Sequence, residues 1–120
     1  APSGAHIRAR LDEKGGVHVE VEAGEVIDEV VLRSYCIGAA HMALGWVRSE
    51  GLAVDDAGVA HDLTIRSFGV MRAVDTPPIH VTIKPGDGPA VNGSDAVFAA
   101  VAAAAWWHEG TPTDWPTRRP

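Results

Sequence analysis

From Asp28 to Ser49 the chain runs without a proline and is dense in small residues, with Ser34, Cys36, Gly38, Ala39, Ala40, Ala43 and Gly45 following one another. A stretch of this length and composition predicts one long helix over about 28–49, with Asp28 placed to act as its N-cap. Gly38 and Gly45 each disfavour a helix by about 1 kcal/mol relative to alanine. Their presence predicts that another element packs very close to the helix backbone, which makes this helix central to the fold.

The segments around it alternate apolar and polar side chains, the period of strands with one buried face. His6–Leu11 and Val17–Glu22 flank the turn residues Lys14-Gly15-Gly16. They read as a hairpin with Val17, Val19 and Val21 inward and His18, Glu20 and Glu22 towards water. A second hairpin is expected from Leu52–Val54 and Val59–Ile65 about the turn Asp55-Asp56-Ala57-Gly58. Thr76-Pro77-Pro78 must be extended and leads into a strand at Ile79–Ile83. After the Gly- and Pro-rich loop 84–93, Ser94 is the expected N-cap of a second, alanine-rich helix over about 94–107. The tail from Gly110, with Pro112, Pro116 and Pro120, is expected to lie extended on the surface. No internal repeat or low-complexity linker divides the chain. The expectation is therefore one domain over 1–120 of α+β class, with antiparallel strands and hairpins packed against two helices.

Apolar residues make up 46% and charged residues 22% of the chain, the balance of a folded globular protein. A net charge of -6 with no basic cluster opposes binding to nucleic acid and to anionic membrane surfaces. The apolar run Ala96–Trp107 is too short to span a bilayer, and the first residues do not resemble a signal peptide. One cysteine, Cys36, permits neither an intrachain disulfide nor a thiolate metal site. A reducing, cytoplasmic setting is the expectation.

Six histidines raise the question of a metal. His6 and His18 are candidates to face each other across the first hairpin, yet no third ligand stands at a defined spacing, and solvent-facing strand positions explain them equally well. His41 reads as a packed or hydrogen-bonded core histidine, and His61, His80 and His108 as surface residues. Cys36 and His41 are five apart and off a common helical face, which favours a buried inert thiol over a nucleophile. Trp46, Trp106, Trp107 and Trp115 suit a partner interface or, alternatively, a ligand pocket.

Several segments recur, in order and in register, in a known family. Gly24-Glu25-Val26-Ile27-Asp28 is similar to Gly-Arg-Val-Ile-Asn, and Gly38-Ala39-Ala40-His41-Met42-Ala43 to Gly-Gly-x-x-Gln-Gly, with Leu44-Gly45-Trp46 following. Ser49-Glu50-Gly51-Leu52 and Asp55-Asp56-Ala57-Gly58 resemble Thr-Glu-Glu-Leu and an Asp-x-x-Gly turn. Arg72–Val81 resembles Pro-Thr-Ala-x-Asp-x-Pro-Pro-Ile-Glu-Val, the most specific stretch, and Thr113-Asp114-Trp115-Pro116 resembles Thr-Asp-Leu-Pro. The chain thus resembles the C-terminal segment of the large, molybdenum-cofactor-binding subunit of the xanthine oxidase, aldehyde oxidoreductase and carbon monoxide dehydrogenase family.

The resemblance implies molybdopterin contacts at Gly38, Ala39, Met42 and Ala43, but in degenerate form. Met42 replaces the glutamine and cannot offer amide hydrogen bonds. It also implies a catalytic glutamate after the Pro-Pro-Ile strand, where this chain has a shortened loop, Lys84-Pro85-Gly86-Asp87-Gly88-Pro89, with Gly88 at the glutamate position. Asp87 is the nearby carboxylate, on a shorter side chain. The Gly86-x-Gly88 and Gly93 spacing, vaguely like an anion-binding turn, is explained as that shortened loop. The expectation is a chain without catalysis of its own and with no cofactor bound alone. Molybdopterin would be held only if a partner chain completed the site. The alternative is a stand-alone domain of this fold that binds a ligand or self-associates.

Overall fold

The computed structural model describes residues 2–61 and 64–118. Three strands, β1 (His6–Leu11), β2 (Val17–Glu22) and β5 (Ile79–Lys84), form one sheet in the order β1-β2-β5. Two helices, α1 (Glu29–Arg48) and α3 (Ser94–His108), pack against each other and cover the sheet. A two-residue hairpin, β3 (Ala53–Val54) with β4 (Ala60–His61), a short helix α2 (Ile65–Phe68) and a 3₁₀ turn (Ala73–Asp75) connect α1 to β5. The α+β class expected from the sequence is the one observed.

Val17, Val19 and Val21 of the central strand are buried, and with Val81 they form the sheet side of the core. Facing them are Ala39, Ala40, Ala43, Leu44 and Val47 of α1 and Val97, Val101 and Ala105 of α3. Small side chains on both helices let them approach each other and the sheet closely. Asp28 caps α1 as expected, its Oδ1 accepting from the Val31 N–H at 3.0 Å. Arg33 donates to the Val81 carbonyl and, at 2.6 Å, to Glu29, so α1 is fastened to β5 by a side chain.

Four details differ from the sequence reading. β5 runs parallel to β2, with Val17 opposite Ile79 and Glu22 opposite Lys84, because the long α1-containing connection returns the chain to the same end of the sheet. Ser94 is the first helical residue rather than the cap; Gly93 holds that position, and the Ser94 N–H and hydroxyl both reach Asn92 Oδ1. The second hairpin is cut short, since Ile65 begins α2 under a Thr64–Ser67 capping box, while Asp62 and Leu63 lie outside the described residues. Finally, Gly45 is closely covered by the Glu50 side chain, whereas Gly38 faces open space. What lies on Gly45 is a side chain from just past the end of α1 and not another element, so the close-packing expectation is not met at either glycine.

α1, α3 and the tail meet at one ion pair. Arg48, buried, donates to Glu109 Oε1 at 2.7 Å, and Arg118 reaches the same oxygen at 3.0 Å. Thr117 donates its hydroxyl to the other carboxylate oxygen. The Thr117 and Arg118 N–H groups take the Val47 and Arg48 carbonyls at 2.8 and 3.0 Å, satisfying the exposed end of α1. Burial pushes the Glu109 carboxyl up, but the Thr117 and Arg48 hydrogen bonds and the Arg118 charge outweigh it and hold it below its ordinary value.

Two stability measurements follow from this geometry. Gly38→Ala is expected to stabilise the chain by about 0.5–1 kcal/mol in denaturant unfolding, since a helical alanine meets nothing there. Glu109→Ala leaves Arg48 buried without its partner and is expected to cost about 3–5 kcal/mol and to release the tail to proteolysis.

Candidate functional site

The positions implied by the resemblance fall on α1 and on the loop after β5. Gly38 and Met42 stand one turn apart on the exposed side of α1, while Ala39 and Ala43 point into the core. None of the four carries a side chain that donates or accepts a hydrogen bond to a pterin. Their own backbone N–H groups lie inside the helix and are spent on its ladder. These residues do not fit a pterin cofactor.

The loop is fixed to the chain that follows β2. The Gly88 carbonyl accepts from the Glu25 N–H at 3.0 Å, Gly86 N–H donates to the Gly24 carbonyl at 3.1 Å, and Val91 N–H to the Ala23 carbonyl at 3.0 Å. A side chain at Gly24 would collide with the Pro89 carbonyl, so the two strands of this clasp need a glycine there. Gly88 itself has φ 111, a conformation that L side chains rarely adopt, and opens to solvent. Asp87 is exposed beside it. Met42 lies about 20 Å along α1 from Glu29 at the helical rise, well beyond the clasp at Gly24 and Glu25. The position that resembles the family's glutamate is thus a glycine, with the Asp87 carboxylate exposed next to it.

The histidines are distributed differently from the candidate pairing. His6 stands opposite Glu22, and His18 opposite Arg10, so His6 and His18 do not face each other. Instead His18 Nε2 contacts Asp12 Oδ2 at 2.9 Å and its ring stacks on His80 of β5 at 4.9 Å. His41 Nε2 meets the Met71 carbonyl at 3.0 Å. Among the described residues, no group of three or more His, Cys, Asp or Glu side chains is arranged to hold a metal ion. Cys36 is buried on the far side of α1 from His41, and burial pushes its thiol up while Arg33 pulls in the opposite direction.

Two features escaped the sequence reading. One is Glu50, whose carboxyl is pushed up by burial over Gly45, against a weaker opposing pull from His41. Another is a repeated turn. At Asp12, Oδ1 accepts from the Lys14 and Gly16 N–H groups and Oδ2 meets His18; at Asp55, Oδ1 accepts from Ala57 and Val59 and Oδ2 meets His61. The signal Asp-x-x-Gly-x-x-His was present twice, with Gly15 and Gly58 in the left-handed region both times. Two hairpins thus share one closure. Three of the four tryptophans that suited an interface or a ligand pocket, Trp46, Trp106 and Trp115, line with Phe98 an aromatic groove of ≈ 480 Å³ over an alanine floor. Trp46 packs on Trp115 and Phe98 at 4.7 and 5.6 Å, and Trp106 donates to the Pro112 carbonyl at 2.9 Å.

Against solved structures the fold has clear counterparts. It superposes on quinoline 2-oxidoreductase from Pseudomonas putida 86 with TM-score 0.67 and 17% identity, over 79% of this chain and 14% of that one. It superposes on the Cu,Mo-CO dehydrogenase with TM-score 0.64 and 14% identity, over 78% and 13%. The reconstituted CO dehydrogenase from Oligotropha carboxidovorans gives TM-score 0.62 at 14% identity, again over 78% and 13%. The fold is that of a segment of these oxidoreductases. The chain spans about one seventh of the length of those proteins. No protein-family model matches the sequence, and no curated protein does.

The turn geometry yields a pH test. Hydrogen bonding from His18 and from the Gly16 N–H draws the Asp12 carboxyl down to about 2 from an ordinary 3.8. Its contribution to the hairpin is therefore complete above about pH 4 and lost as pH falls through about 2. Amide exchange at Gly16 is expected to stay protected down to that range, and Asp12→Asn to abolish the dependence.

Proposed function

We propose that this chain is a non-catalytic piece of a molybdenum-hydroxylase-type large subunit, a split subunit or relic that acts with a partner chain in an oxidoreductase assembly. Gly88 carries this reading. A carboxylate is what general-base activation of an attacking oxygen needs, and the position that resembles the family's glutamate has neither a side chain nor a backbone conformation that welcomes one. Met42 in place of the glutamine points the same way. The whole chain acts as one domain, in a reducing compartment such as the cytoplasm, where the buried Cys36 stays a thiol.

α1 is long and apolar enough to cross a membrane by length and composition. Its contacts favour a core helix: Arg33 is tied to β5, Arg48 to Glu109, and its alanine face to α3 and the sheet. Neither a membrane nor a nucleic acid is needed to explain any of its faces.

The second reading is a stand-alone domain of this fold, and the aromatic groove at Trp46, Phe98, Trp106 and Trp115 is the feature that favours it. Co-purification from the native source separates the readings, a large partner with molybdenum and iron favouring the first and a metal-free homo-oligomer the second; the absence of catalysis is tested on the isolated chain. Purified chain mixed with free molybdopterin is expected to show no pterin absorbance after gel filtration and no oxidation of aldehydes or N-heteroaromatic compounds with artificial electron acceptors. Gly88→Glu is expected to remain inactive, since a carboxylate without an anchored cofactor has nothing to activate. Turnover by the isolated chain overturns the proposal.

A further inference from the structure

Past the end of α3 the chain reverses at two residues. Gly110 and Thr111 both hold left-handed backbone angles, φ 82 and φ 53, and their N–H groups reach back to the Trp107 and Trp106 carbonyls at 3.1 and 3.0 Å. Glycine adopts such an angle freely. Thr111 does not: its branched Cβ opposes a positive φ, and a residue before a proline, here Pro112, is pushed towards extended angles. Among the described residues it is the one non-glycine with a positive φ.

The strain in this turn is held by what the tail gains beyond it. Trp115 packs on Trp46 at 4.7 Å, Trp106 donates to the Pro112 carbonyl at 2.9 Å, Thr117 donates to Glu109, and Arg118 reaches the same carboxylate at 3.0 Å. The Thr117 and Arg118 N–H groups close the end of α1 through the Val47 and Arg48 carbonyls. Each of these contacts joins the tail to α1 or to the last turn and cap of α3. None requires the tail and the helices to belong to one molecule.

We infer that two copies of the chain exchange their tails, each laying residues 112–118 on the end of the other's α1 and α3. The contacts in the exchanged dimer are those of the single chain, so they cancel in the comparison. What differs is the hinge. With the turn opened, α3 runs on through Glu109, the Gly110 and Thr111 N–H groups take the Trp106 and Trp107 carbonyls, and Thr111 relaxes to the extended angles that Pro112 favours. One strained residue is relieved in each copy, against the lost freedom of a single association. Short hinges under strain favour exchange of this kind.

The exchange also completes a site. Trp115 is a wall of the aromatic groove it forms with Trp46, Phe98 and Trp106, so in the dimer each groove takes one indole from the second copy. The occupant is the segment already seated on that surface. The inference rests on neither reading of the function.

Gel filtration with light scattering over the micromolar range is expected to resolve monomer and dimer, the dimer fraction rising with concentration. Thr111→Gly removes the strain from the closed turn and is expected to weaken dimerisation at least about tenfold. Gly110→Ala adds strain at φ 82, where its methyl group meets nothing else, and is expected to strengthen dimerisation. Both positions are exposed, so circular dichroism is expected to stay unchanged. In a dimer built from one isotope-labelled and one unlabelled copy, filtered NOEs between Trp115 and Trp46 are expected across the two chains. Monomer throughout the range in both the native chain and Gly110→Ala overturns the inference. A dimer that ignores both hinge variants, or whose Trp115 and Trp46 touch only within one copy, overturns it in favour of another interface.

Discussion

Arg48 brings a full charge into the interior, and that placement is tolerable only because Glu109 meets it there. The pair joins the last turn of α1 to the end of α3. Arg118 and Thr117, on the same carboxylate, draw the tail back across both helices. From this clamp follow the capping of the α1 carbonyls, the tilted contact of Trp115 with Trp46 and the aromatic groove that this contact closes. Hydrophobic burial alone would hold α1 against α3 without fixing where the tail lies. The ion pair supplies that specificity, and its geometry depends on three segments arriving together.

The layers carry a second constraint. A sheet with one charged face and one apolar face requires a cover on one side, and α1 and α3 provide it with alanines and valines. Small side chains permit close approach, but they also leave narrow helices whose far sides are unshielded. In a two-layer domain that stands by itself the far side of α1 would be polar. Here Tyr35 and Met42 stand exposed on it.

Much of the architecture was legible because it is governed by local rules. The alternation of Val17, Val19 and Val21, the capping chemistry of Asp28 and the alanine run after Ser94 each act over a few residues, and each gave its element correctly. The direction of β5 was not legible, since parallel or antiparallel pairing is decided by how a long connection returns and not by the strand's own residues. Gly38 and Gly45 look alike in sequence; only the fold reveals that Glu50 lies over one and solvent over the other. The Asp-x-x-Gly-x-x-His turns were visible in principle. Their signal is a side chain that replaces missing backbone partners at a bend, and it was read as turn chemistry with the histidine left out.

The site resemblance was legible as a set of positions, and the structure shows how those positions lie relative to the core. Gly38 and Met42 are outside the core, so replacing an amide by a thioether there disturbs no packing. The loop after β5 is held through backbone groups of Gly86, Gly88 and Val91 on Ala23, Gly24 and Glu25, so a shortened loop still closes the end of the sheet. Side chains that do chemistry and backbone contacts that keep shape were carried by different atoms.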